Sequence, residues 1–340
     1  MAQPLLEIKD LKVHFKIQDG WVKAVDGVSF TIDQGETMGL VGESGCGKTT
    51  AAYAITQLLP PNGYVKGGSI FYKGNDLIKI SKRHDGRLDD YNEKIRKIRW
   101  KEISMIFQGA MNAFNPVFKI GDQIVEAIQL HEKVDDEKAE KRVRELFNFV
   151  GIPEDRINNY PHEFSGGMKQ RAMIALALAL SPSFIIADEP TTALDVITQD
   201  RILYEIKRLQ EEWHMAMMII THDVSVVAEV SDNIGVMYAG KMMELGATSQ
   251  VFRNTAHPYT AGLLNSFPSI TGPRKRLVSI PGFPPDLVNP PSGCPFHPRC
   301  QFAKEVCHEK PPEGIEIEPG HIAFCHFSRE IWDQLRRGGK

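Results

Sequence analysis

Residues 5 to about 250 read as an α/β fold, on three observations. Short apolar runs alternate with helical stretches across that span. The run Met38-Gly39-Leu40-Val41 passes through a glycine-rich turn into Thr50-Ala51-Ala52-Tyr53-Ala54-Ile55, which is strand, turn and helix in order. Residues 103–107, 184–187, 217–220 and 234–238 are continuous apolar runs of strand length.

The turn between the first strand and helix is Gly42-Glu43-Ser44-Gly45-Cys46-Gly47-Lys48-Thr49, a complete G-x-x-x-x-G-K-[ST] phosphate loop. Its glycines free the backbone to point successive N–H groups inward around phosphates. The helix that follows presents unpaired N–H groups and the positive end of its dipole. Lys48 reaches for the β- and γ-phosphates, and Thr49 offers a hydroxyl to Mg²⁺. Gly42, Ser44, Gly45, Cys46, Gly47, Lys48, Thr49 and Thr50 are therefore the candidate contacts to a nucleoside triphosphate. Cys46 is a small filler within the loop.

Composition narrows the class. Apolar content of 42% and charged content of 24% suit a globular protein. A net charge of -3 leaves no broad basic field for nucleic acid. The Lys94, Arg96, Lys97, Arg99, Lys101 run reads as a solvated helix face. The first ten residues lack an apolar signal core, and the run 172–180 is too short to span a bilayer. A cytosolic protein, or one held at a membrane by a partner, is expected.

Residues 137–150 are charged, with Val143, Leu146, Phe147 and Val150 on one face of an amphipathic helix. After Val251 the texture changes. Pro268, Pro273, Pro281, Pro284, Pro285, Pro290, Pro291, Pro295 and Pro298 interrupt regular structure. A boundary is expected near residue 256, with a small loop-rich region over 257–340.

A second constellation complements the loop. Residues 183–189 form a buried strand ending in Asp188 and Glu189. Asp188 at the strand tip is placed to share Mg²⁺ with Thr49. Glu189 is placed to polarise an attacking water as general base. His222 ends the next strand, and Gln108 ends the strand at 103–107. Ligands of such sheets sit at the carboxyl ends of the strands. His222 is expected at the γ-phosphate or the water, and Gln108 at Mg²⁺ or the water.

Phe164-Ser165-Gly166-Gly167-Met168-Lys169-Gln170-Arg171 precedes an apolar helix, and Ser165 with two glycines makes a second anion-binding helix start. In order, the chain then shows the phosphate loop, Gln108, this motif, Asp188-Glu189, Ala193-Leu194-Asp195 and His222. That series resembles the ATPase subunits of ABC transporters, as Walker A, Q-loop, signature, Walker B, D-loop and H-loop, over roughly residues 5–256.

The resemblance implies a P-loop NTPase (RecA-like) core over 1–256, with a helical subdomain at about 110–180. It implies a head-to-tail pair of ATPase subunits in which Ser165, Gly166 and Gly167 contact the ATP held by the partner. It also implies an aromatic ring against adenine; Phe15 fits best by position, with Trp21 as competitor. The Gln108 loop would carry motion to two transmembrane permease subunits.

Wording within the motifs resembles the oligopeptide and dipeptide importers. It includes residues 107–116, Tyr160-Pro161-His162, Thr192-Ala193-Leu194-Asp195-Val196 and Gly293-Cys294-Pro295-Phe296-His297-Pro298-Arg299-Cys300. Gly109-Ala110 replaces the usual Asp-Pro after the glutamine, and Met168 takes the glutamine position of the signature; neither removes a catalytic group. This implies a peripheral subunit on the cytoplasmic face of the inner membrane that powers peptide import. Its ATPase partner would be a paralogue, with a second copy as the alternative, and an extracytoplasmic peptide-binding protein would act indirectly. Import of nickel or another small solute, and a soluble ABC ATPase with a redox-sensing cluster, are the other readings.

Cys294, Cys300, Cys307 and Cys325 are spaced C-x5-C-x6-C-x17-C, without the C-x2-C pairs of zinc ribbons. Four thiols in a Pro-rich region of little apolar content suggest a metal centre that holds it together. The subgroup resemblance implies a [4Fe–4S] cluster on these four, with Zn²⁺ as runner-up.

Overall fold

The computed structural model describes residues 3–89, 91–109, 114–191, 195–266 and 280–338. The expectations placed on Thr192, Ala193, Leu194, Pro268, Pro273 and residues 110–113 lie outside these. The chain divides into two compact units, Met1–Asp89 with Ile220–Lys340, and Asp90–Ile219.

The first unit contains an antiparallel sheet in the order Gly20–Ile32, Leu6–Ile17, Gly63–Tyr72, Asn75–Asp76. Alternation sets its buried face: Leu6, Ile8, Leu11 and Val13 point inward against Val25, Val28, Phe30 and Ile32. A register shift between Ile8 and Leu11 accommodates Asp10, whose φ is +46°.

A second sheet in this unit supports the phosphate loop. Thr37–Val41 is buried at every position and pairs in parallel with Asn233–Tyr238. A strand covered on both faces needs a continuous apolar run, which is how residues 38–41 and 234–238 read. Asn233–Tyr238 pairs antiparallel with Lys241–Ala247. The C-terminal region then continues the same sheet: His321–Ala323 pairs with Lys241–Ala247, and Ile315–Glu318 pairs with His321–Ala323. Backbone hydrogen bonds therefore fasten this region to the core sheet.

The junction is buried and polar. Glu244, 0% exposed, accepts the N–H groups of Ala256 at 2.7 Å and His257 at 3.1 Å, and a third bond from His321 Nε2 at 2.7 Å. A buried carboxylate is tolerated where its oxygens are filled in this way.

In the second unit, Ile103–Ile106 and Phe184–Asp188 pair in parallel, Ile103 opposite Phe184 and Ile106 opposite Ala187. Helices Ile120–His131, Asp136–Phe149 and Gly166–Leu178 pack on one another. Asp135 caps the second of these by accepting the Lys138 N–H at 2.9 Å, and Ala139, Val143, Leu146 and Phe147 form its buried stripe. The Trp100 indole donates to the Leu176 carbonyl at 3.0 Å, tying the approach to the Ile103–Ile106 strand to the third helix.

Candidate nucleotide site

The sequence-predicted residues fall in both units. Phe15, the loop from Gly42 to Thr50 and His222 lie in the first; Gln108, Ser165, Gly166, Gly167, Asp188 and Glu189 lie in the second.

The phosphate loop leaves Thr37–Val41 and enters the helix Lys48–Ile55. Two glycines are fixed by sterics. Gly47 has φ +104°, and a Cβ there would stand 2.1 Å from the Ala24 carbonyl oxygen. Gly42 has φ +149°, and a Cβ there would stand 2.1 Å from the Met237 carbonyl oxygen. Lys48 is buried, and its ammonium donates to the carbonyls of Gly42 at 2.7 Å and Glu43 at 3.0 Å. The loop thus curls around its own lysine, the geometry that cradles a phosphate. Ser44 and Gly45 are exposed, and Thr49 and Thr50 are half-buried beside them. Cys46 is buried under the loop; burial pushes its thiol pKa up, against the opposing charge of Lys48.

Phe15 lies half-buried in the antiparallel sheet, opposite Val22 and Gly63. Trp21 meets Tyr64 edge-on at 5.0 Å, and Lys66 Nζ sits 3.5 Å over the Trp21 ring. One face of Trp21 is therefore occupied by a cation. His222 is exposed, directly after Ala216–Ile220. Its backbone is braced by Thr221 Oγ1, which accepts the Asp223 N–H at 3.0 Å, and by Asp223, which caps Val224–Val230.

In the second unit Asp188 is buried at the tip of Phe184–Asp188. Glu189 follows with φ +47°, a left-handed conformation that a non-glycine residue holds only under the constraint of its surroundings. Gln108 Nε2 donates to Glu189 Oε2 at 2.7 Å. Ser165 caps the helix Gly166–Leu178, its hydroxyl accepting the Met168 N–H at 3.3 Å, with Ser165 itself exposed. The buried Gln170 amide of that helix donates to the Pro190 carbonyl, linking the signature helix to the turn after Glu189. Asp195 caps Val196–Glu212 through Thr198, whose hydrogen bonds hold the Asp195 carboxyl below its usual pKa.

Sequence reasoning missed Tyr259 and Arg299. The Glu43 N–H donates to the Tyr259 hydroxyl at 2.9 Å, and the Arg299 guanidinium grips the Glu43 carboxylate at 2.7 and 2.9 Å. Neither contact has a local signal, because the partners lie 216 and 256 residues apart.

Of the expected C-terminal metal-cluster region, the structure supports the folded region but not the cluster itself. Cys294, Cys300, Cys307 and Cys325 do line one small cavity, walled by Pro258, Phe296, Phe302 and Phe327. Among the described residues, however, no group of three or more His, Cys, Asp or Glu side chains is disposed to hold a metal ion. Burial raises the thiol pKa of Cys294 to about 11 and of Cys325 to about 12, and raises that of Cys300 too. The Cys294, Cys300 and Cys325 thiols thus sit in an apolar-walled cavity that disfavours thiolate. The strand pairing to Lys241–Ala247 by itself fastens this region to the core sheet.

A phosphate loop with a buried lysine, a carboxylate-tipped strand and a Ser-Gly-Gly helix start, on an α/β scaffold, define an ATP-binding cassette. The ABC transporter family matches residues 25–192, and the oligopeptide/dipeptide transporter C-terminal region matches residues 243–307. The chain is 45% identical to the oligopeptide transport ATP-binding protein OppD of Haemophilus influenzae over 329 residues, covering 96% of this chain and 98% of that protein. It is 44% identical to the dipeptide transport ATP-binding protein DppD of Bacillus subtilis, over 95% and 94% of the two chains. A dimeric structure of MJ0796, a bacterial ABC transporter cassette, superposes with a TM-score of 0.63 at 27% identity, covering 72% of this chain and 98% of that one. This chain belongs to the ATP-binding subunits of the oligopeptide/dipeptide family of ABC transporters, and it is an ATPase. Among the described residues no helix is long and apolar enough to cross a membrane.

Proposed function

We propose that this subunit hydrolyses ATP at the cytoplasmic face of the membrane to power import of dipeptides or oligopeptides. The observation that carries the reading is the double match, a transporter ATPase core followed by the C-terminal region of peptide transporters. Its partners are a second ATPase subunit, most simply a paralogue, and two transmembrane permease subunits. An extracytoplasmic peptide-binding protein delivers substrate to them.

Within the site, the loop N–H groups and Lys48 hold the β- and γ-phosphates, releasing the lysine from the carbonyls of Gly42 and Glu43. Thr49, Gln108 and Asp188 are the residues suited to hold Mg²⁺, which when bound neutralises charge on the phosphate oxygens. Glu189 accepts the proton of the attacking water, and His222 orients the γ-phosphate. Ser165, exposed, and the half-buried Gly166 and Gly167 at the same helix start face the nucleotide of the partner subunit. Phe15 takes the adenine, since Lys66 covers one face of Trp21. Cys294, Cys300, Cys307 and Cys325 are the residues that would hold a [4Fe–4S] cluster, with Zn²⁺ as runner-up; the support is that all four thiols line one cavity. Iron, zinc and acid-labile sulfide content of protein purified without oxygen tests that assignment.

The transport reading is tested by reconstituting the subunit with its permease and partner ATPase in vesicles. ATP-dependent uptake of labelled di- and oligopeptides is expected, and is lost with Glu189→Gln. Hydrolysis that drives nickel but no peptide uptake would overturn it.

A further inference from the structure

Glu43, the second residue of the phosphate loop, is held from three sides. Its N–H donates to Tyr259, its carbonyl accepts from Lys48 Nζ, and its carboxylate takes two parallel bonds from Arg299 at 2.7 and 2.9 Å. Arg299 is itself fixed. Its Nε donates to the Pro281 carbonyl at 2.7 Å, Nη1 also reaches the Tyr238 hydroxyl at 3.2 Å, and its side chain is 6% exposed. A bidentate guanidinium–carboxylate pair shielded to this extent is directional as well as strong.

The position of the acid gives this contact more than an anchoring role. Two neutral side chains would tether the region after residue 257 to the loop equally well. Here a carboxylate occupies a loop built to receive a polyanion, where its charge opposes the ligand. Arg299 cancels that charge and fixes the carbonyl to which Lys48 is bonded.

We propose that Arg299 is a positioning residue of the nucleotide site, acting through Glu43 to preset the phosphate loop and lower its charge, so that the C-terminal region tunes affinity for the polyphosphate of a nucleoside triphosphate. This rests on residues 42–49 being the nucleotide site.

The test is equilibrium titration of the full-length chain with MgATP, comparing wild type, Arg299→Ala, Arg299→Lys and the double variant Glu43→Gln with Arg299→Ala. Arg299→Ala is expected to weaken MgATP binding about tenfold, because it leaves an uncompensated carboxylate in the loop. The double variant removes that carboxylate and should bind more tightly than Arg299→Ala, a rescue that loss of a mere tether does not give. If thermal melts show that Arg299→Ala does not fold, Arg299→Lys carries the test. A single ammonium cannot bridge both oxygens, so about threefold weakening is expected. The proposal is overturned if the folded Arg299 variants bind MgATP within about twofold of wild type, or if the double variant is no tighter than Arg299→Ala. Lys48→Ala separates the two readings: if it binds MgATP as wild type does, the nucleotide site itself has been misplaced.

Discussion

The side-chain amide of Gln108 donates to Glu189 Oε2 at 2.7 Å, joining the residues that follow two adjacent parallel strands. One carboxylate oxygen of the candidate base is therefore engaged by the Q-loop glutamine. For Glu189 to take a proton from water, that bond must loosen or re-aim, which links the base to the position of the Gln108 loop. Glu189→Gln is expected to retain MgATP and lose hydrolysis by about 10²- to 10⁴-fold, the usual worth of a positioned general base. Phosphate release in a single turnover, in a complex where this subunit supplies the only competent site, measures it; a rate near wild type removes Glu189 from the role.

Lys48 is buried and spends its ammonium on the Gly42 and Glu43 carbonyls. Replacing it with Ala removes the cation that phosphates should recruit and leaves those carbonyls without that donor. The nucleotide Kd should rise by about 100-fold or more, given roughly 1.5–3 kcal/mol for each charge-assisted bond. Calorimetric titration with MgATP reads the change directly, and an unchanged Kd would show that the lysine does not face the phosphates.

Core strands were legible because each is a continuous apolar run closed by turn residues, as in Thr37–Val41 and Phe184–Asp188. The phosphate loop, Ser165 and the Asp188-Glu189 pair were legible for a related reason: their chemistry fixes residue type at short spacing. The strands Ile315–Glu318 and His321–Ala323 gave no such signal. They are short and carry Glu316, Glu318 and His321, and they form because the Lys241–Ala247 edge offers backbone partners. Gln108 and Glu189 were each expected at the same sheet edge, but their mutual bond depends on the left-handed turn at Glu189. The grip of Arg299 on Glu43 belongs to tertiary packing alone.

His257 is completely buried, and burial depresses its pKa from 6.5 to about 3. Neutral Nδ1 accepts the Tyr259 N–H at 3.0 Å and so caps the helix Pro258–Asn265. In acid the unfolded chain takes up a proton that the folded chain refuses. The contribution is therefore complete above pH 6.5 and is lost as pH falls toward 3, by roughly 5 kcal/mol over the whole window. Urea unfolding across this range should show His257→Asn with a slope of stability against pH about one proton smaller than wild type. Identical slopes would mean that His257 is charged in the fold.

The cysteine cavity has the opposite dependence. The thiols of Cys294 and Cys325 are raised from 9.0 to about 11 and about 12, because burial disfavours thiolate. Folded protein holds these protons where unfolded protein has released them. Stability is thus intact below pH 9 and falls as pH rises toward 11 and 12. Melting curves of metal-free, reduced protein should drop steeply above pH 9, and a Cys294→Ser, Cys325→Ser variant should drop less. Equal alkaline sensitivity in the two proteins would place the thiols in water.

Glu244 is the polar junction through which the C-terminal region joins the core, filling three hydrogen bonds with no exposure to solvent. Glu244→Ala leaves the N–H groups of Ala256 and His257 and the imidazole of His321 buried without that acceptor. Each loss costs about 1–3 kcal/mol, so the variant should lose at least about 3 kcal/mol. Glu244→Gln retains one carbonyl acceptor but places an NH₂ group against donors, and should fall between wild type and Ala. The loss should be local at first: amide exchange is expected to quicken in His321–Ala323 and Pro258–Asn265 before it does in Thr37–Val41. If all three segments exchange at wild-type rates in Glu244→Ala, the strand pairing alone holds the region, and the carboxylate is dispensable to it.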